Sequence, residues 1–75
     1  MKVIRIKNSI VSLENVREVE HRKTGTGSQR NPRISYIVVS YQAQCETTSV
    51  GIEDIEGYTR GEKCMEEIFQ ILSRD

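Results

Sequence analysis

In Ile34-Ser35-Tyr36-Ile37-Val38-Val39-Ser40-Tyr41, β-branched and aromatic residues dominate, no Gly or Pro interrupts, and no charge follows until Glu46. Side chains stiff at χ1 in so short a run favour a strand over a helix. Successive strand residues point to opposite faces, so Ile34, Tyr36 and Val38 share one face and Ile37, Val39 and Tyr41 the other. Both faces are apolar, which predicts a central strand needing two covers.

Outward from this strand, Met1-Lys2-Val3-Ile4-Arg5-Ile6-Lys7 alternates charged with apolar residues and predicts a short first strand over 2–7. Asn8-Ser9 is a turn signal, Ile10, Val11 and Leu13 resume apolar character, and Glu14-Asn15 offers a second turn. Val16 and Val19 are three apart, which breaks strict alternation: either residues 13–19 form a helical turn or, the favoured reading, a bulged strand runs through about Lys23. Thr24-Gly25-Thr26-Gly27-Ser28-Gln29-Arg30-Asn31-Pro32-Arg33 is loop chemistry throughout, and a loop this long is mobile or functional. After Gln42–Glu46, Thr47 to Ile52 alternates with Thr48, Val50 and Ile52 on one side, predicting a strand at a sheet edge.

An acidic connection, Glu53 to Tyr58, precedes Thr59-Arg60-Gly61-Glu62, which has the form of a capping box with Thr59 at the N-cap and Glu62 at N3. Cys64, Met65, Ile68, Phe69, Ile71 and Leu72 then recur at helical spacing, with burial expected for Met65, Ile68, Phe69 and Leu72. Early acids and a late Arg74 suit the helix dipole. The expected architecture is α+β: one domain over 1–75, a mainly antiparallel four-stranded meander with one C-terminal amphipathic helix on one face. Strands followed by a single such helix are similar to the closing part of a pleckstrin-homology-like domain. Likeness in element order confers no function.

The formal net charge is zero, which argues against a protein built as a whole to coat nucleic acid or anionic membrane. No apolar run approaches a transmembrane length, and the N-terminus lacks the apolar core of a signal peptide, so a cytoplasmic location is expected. Cys45 and Cys64 form no CxxC pair. With a single His they lack zinc-ligand spacing, so no metal or cofactor is expected.

The neutral total hides polarity along the chain. Residues 21–33 contain no acid, whereas residues 44–58 carry Glu46, Glu53, Asp54 and Glu56 and no base. Arg22, Lys23, Arg30 and Arg33, in the basic loop His21–Arg33, are candidate anion-binding residues for a phosphate-bearing ligand or nucleic acid. Gly25-Thr26-Gly27-Ser28 satisfies neither the Rossmann nor the P-loop pattern. His21 is the only histidine, and no nucleophile–base pairing is implied, so catalysis is not expected.

One helix covers one sheet face. The second face would be covered either by Val3–Leu13 folding back or by a second copy or other protein packed on Tyr36, Val38, Ile37, Val39 and Tyr41. The favoured expectation is a non-enzymatic interaction module that self-associates through the open face as a homodimer, and the alternative is an anion-binding module using the basic loop.

Overall fold

The computed structural model describes residues 2–43, 46–54 and 56–74. Five strands precede one helix: β1 Val3–Ile6, β2 Ser9–Ser12, β3 Val16–Thr24, β4 Ile34–Tyr41, β5 Thr47–Glu53 and α1 Thr59–Leu72. The strands form two antiparallel sheets, a hairpin β1-β2 and a three-stranded sheet ordered β3-β4-β5. The fold is therefore α+β, but the expected single four-stranded meander is corrected to two sheets.

Two backbone kinks account for the difference. Lys7 takes a left-handed φ of 55°, which folds β1 straight back onto β2 with Ile6 opposite Ser9. Asn15 takes φ 57° and redirects the chain from the hairpin into β3. Asn accepts this conformation more readily than most residues. Ile10 and Val11 thus belong to a fifth strand, paired to β1 and to nothing in the larger sheet.

Ile34–Tyr41 does form the central strand, with β3 and β5 hydrogen-bonded on either side. The register slips between Val16 and Glu18, so the three-residue spacing of Val16 and Val19 does mark a bulge. Thr47–Glu53 is a sheet-edge strand with Val50 and Ile52 turned to the core.

All covering elements lie on one side of the sheet. Ile37 (0% exposed) and Val39 (1%) are sealed beneath Ile4, Ile6, Val11 and Leu13 of the hairpin segment and Cys64 and Ile68 of α1. Val3–Leu13 does fold back, but beside the helix rather than across the second face. Tyr41 fastens the two layers, its hydroxyl donating to the Ser12 carbonyl at 2.7 Å.

The buried stripe of α1 is narrower than its sequence suggests. Gly61, Cys64 and Ile68 are buried, Met65 and Ile71 are half-buried, Leu72 is exposed, and Phe69 is 63% exposed. The hairpin occupies one flank of the helix and leaves Phe69 on the other. Phe69→Ser is accordingly expected to change stability by no more than about 0.5 kcal/mol. The milder-looking Ile68→Val should cost about 0.5–1.5 kcal/mol. Urea denaturation of the two variants checks the order. Arg74 lies beyond the helix, whose last turn holds no basic residue.

Candidate functional site

The outer face of the three-stranded sheet presents alternate residues of each strand. Glu20 pairs with Val38 and Arg22 with Tyr36 on one side of β4, while Ser49 and Gly51 meet the same two residues from β5. Ile34 continues the row between Thr24 and Glu53. The Tyr36 ring lies across Gly51, where a Cβ would stand 2.9 Å from Cε1 of the ring. The absent side chain lets the aromatic lie flat on the sheet. Val38 is 9% exposed, and Ile34 and Tyr36 are half-buried. None of the three belongs to the core that the hairpin and α1 build on the other face, although Val38 is itself buried.

The five candidate interface residues therefore divide. Tyr36 and Val38 stand on the outer face, whereas Ile37, Val39 and Tyr41 serve the intrachain core. Ile34 and Gly51 join the outer pair.

The candidate anion-binding residues are dispersed. Arg22 is on the outer face, its Nε 2.6 Å from Glu20 Oε1. Lys23 points to the opposite face, 3.7 Å from Glu62 and over the Tyr58 ring. Both ion pairs are exposed and contribute little to stability. Arg30 is exposed on the loop, and the Arg33 guanidinium packs against Gly27. The loop closes on itself, with the N–H groups of Thr26 and Gly27 both donating to the Asn31 carbonyl at 3.0 Å. Tyr58 tethers its base, donating to the carbonyls of Thr24 and Gly25.

A third constellation joins residues far apart in sequence. The helix begins without the expected capping box: its N-cap is Tyr58 at φ 69° with no side-chain cap, and the Thr59 hydroxyl donates back to the Glu56 carbonyl. The cap comes from the end of β5. Asp54 Oδ1 accepts from the Arg60 N–H at 3.2 Å, and Oδ2 accepts from the Gly61 N–H at 3.0 Å. Oδ2 also accepts from the Ser35 hydroxyl at 3.0 Å, and His21 Nε2 lies 2.9 Å from the same Ser35 Oγ. Burial pushes the Asp54 carboxyl upward, but the Gly61 and Arg60 N–H groups, the Ser35 hydroxyl and the Arg60 charge together hold it below the ordinary aspartate value.

These three residue types invite comparison with a nucleophilic triad, but the proton direction is reversed. A serine hydroxyl has one proton, and here Asp54 takes it. His21 Nε2 must then donate to Ser35 rather than accept from it, which is the opposite of activating a nucleophile. Ser35 is fully buried. The chain joins sheet to helix, and Gly61 permits its close packing.

Cys64 faces the sheet; burial, followed by the nearby Glu67 charge, pushes its thiol pKa up and keeps it protonated. Cys45 lies outside the described residues. Among the described residues no group of three metal-ligating side chains occurs, and no helix is long and apolar enough to cross a membrane.

Of the residues that organise these sites, Asp54, Ser35 and Gly61 had no motif to announce them. Only the glycine, placed where helix propensity suffers, hinted at a close approach. Comparison with protein-family models, curated proteins and solved structures finds no match to this chain.

Proposed function

We propose that this protein is a non-enzymatic interaction module that self-associates through the outer face of its three-stranded sheet, centred on Tyr36 and Val38. One observation carries this. The hairpin and the helix both pack on the inner face of β4, and the opposite row of Ile34, Tyr36 and Val38 lies outside that core, with Ile34 and Tyr36 partly exposed and Val38 buried. Tyrosine suits such a position because it offers apolar area with a polar tip. The non-enzymatic reading is supported by the hydrogen-bonded chain from half-buried His21 to buried Ser35 and Asp54, in which the serine proton is already given to Asp54.

Strand spacing and rise give the outer face a footprint of roughly 14 by 26 Å. That falls short of the roughly 800 Å² per partner of a standard stable interface, so the dimer is expected to be weak, in the micromolar range or above. Size-exclusion chromatography with light scattering should show the mass rising toward two copies with concentration. Tyr36→Glu should hold it at one copy. Ser49→Glu places a charge on the same face without uncovering Gly51, and should act likewise while leaving the melting temperature unchanged. A wild-type mass of one copy at high micromolar concentration would refute the proposal.

A further inference from the structure

We propose that the groove between the β1-β2 turn and the first turns of α1 binds a small phosphomonoester. This groove, about 270 Å³, is lined by Arg5, Lys7, Arg60 and Lys63, with Ile6, Ile52 and Cys64 at its floor and Glu67 at its margin. Two cations come from the hairpin and two from the helix, where a three-residue step puts Arg60 and Lys63 on one side. Of the eleven Lys and Arg residues in the chain, four converge here. Arg22, Lys23, Arg30 and Arg33 do not converge in this way.

Among the described residues, none of these four cations forms an ion pair, although Arg22 and Lys23 both do. Glu53 and Glu56 line a neighbouring groove that shares Arg60 and Lys63, yet neither reaches ion-pairing distance. Glu67 in the lining and Asp54, which feels the Arg60 charge, offset part of this positive charge, and a bound dianion would offset the remainder. Arg5 is held in place, its Nε donating to the Lys7 carbonyl at 3.1 Å. The helix-start N–H groups of Arg60 and Gly61 are already taken by Asp54, so the anion would be gripped by side chains.

The floor argues for an ester rather than the free ion. Ile6, Ile52 and Cys64, with the aliphatic stems of the four cations, give a compact apolar group somewhere to lie while the phosphate meets the charged tips. The groove is on the side of the sheet that carries the hairpin and helix, away from Tyr36 and Val38. Its occupation does not depend on self-association.

The test is an amide NMR titration of the whole chain with phenyl phosphate and, separately, inorganic phosphate. Saturable shifts are expected around Arg5–Lys7 and Arg60–Cys64, with phenyl phosphate binding several-fold more tightly and both weakening as salt rises. Arg60→Ser with Lys63→Ser should weaken phenyl phosphate about tenfold or more, the effect of losing charge-assisted hydrogen bonds. Arg5→Ser with Lys7→Ser, which alters the other wall, should do the same. Arg22→Ser with Arg30→Ser should leave affinity unchanged. Absence of saturable shifts with both probes, shifts centred on residues 21–33, or equal loss in the Arg22/Arg30 variant would each overturn the assignment.

Discussion

Gly61→Ala is expected to destabilise the protein by about 2–3 kcal/mol, the upper part of the range for forcing extra volume into a packed interior. The sign makes this informative. In an ordinary helix, replacing Gly by Ala gains up to about 1 kcal/mol, because alanine loses less backbone entropy. Gly61 is not in the left-handed region, so backbone conformation does not oppose the change. What opposes it is the sheet. A Cβ here would stand 2.6 Å from the Ser35 Cβ and would collide with His21 Nε2 and Ser35 Oγ. Either the helix start lifts from β4 or the His21–Ser35–Asp54 chain breaks. Urea denaturation checks it, and a stabilised Gly61→Ala variant would show that helix and sheet are not in this close contact.

Asp54→Ala should cost about 3 kcal/mol, combining the loss of a helix cap with a buried hydroxyl left without its acceptor. Asp54 is buried, and its two oxygens satisfy the Arg60 N–H, the Gly61 N–H and the Ser35 hydroxyl. Asp54→Asn should cost less, since an amide oxygen still accepts, but it removes the charge. The pH dependence separates these contributions. The folded-state value is lowered, so the unfolded chain binds a proton more readily than the folded one at acid pH. The carboxylate's contribution is therefore complete above the unfolded aspartate value of about 3.9 and is lost as pH falls through the lowered folded value. Wild-type stability should fall over that acid range, with a shallower slope in Asp54→Asn. Parallel slopes for the two proteins would place the acid sensitivity elsewhere.

Local pattern made some of this fold legible. The central strand, the bulge after Val16, the edge strand Thr47–Glu53 and the C-terminal helix each follow from periodicity within a single element. What escaped depends on how elements meet. Thr59 and Glu62 have capping-box spacing, but Asp54 reaches the same helix start from the end of a strand, and no local motif records that competition. Phe69 has the right spacing for burial, yet the hairpin and sheet together enclose only the Gly61–Cys64–Ile68 stripe. Ile10–Leu13 read only as renewed apolar character, and the separate strand Ser9–Ser12 escaped because its turn places Lys7, a residue outside the usual set, at positive φ. The outer face was legible as an apolar row on β4, but its membership was not. Which of two apolar faces receives the covers is decided by distant segments, and Ile37, Val39 and Tyr41 went inside. The cations Arg5, Lys7, Arg60 and Lys63 are separated by most of the chain and become neighbours only when the hairpin folds beside the helix.

The central claim is that the inner face of β4 is filled by this chain and the outer face by a second copy. An amide NMR dilution series from millimolar to low micromolar protein tests it most directly. Concentration-dependent shifts should cluster on the outer row and its neighbours, at Tyr36, Val38, Ser49 and Gly51, while Cys64, Ile68 and the hairpin stay fixed. Shifts that instead gather on the helix flank around Phe69, or a spectrum unchanged by dilution together with a one-copy mass, would contradict it.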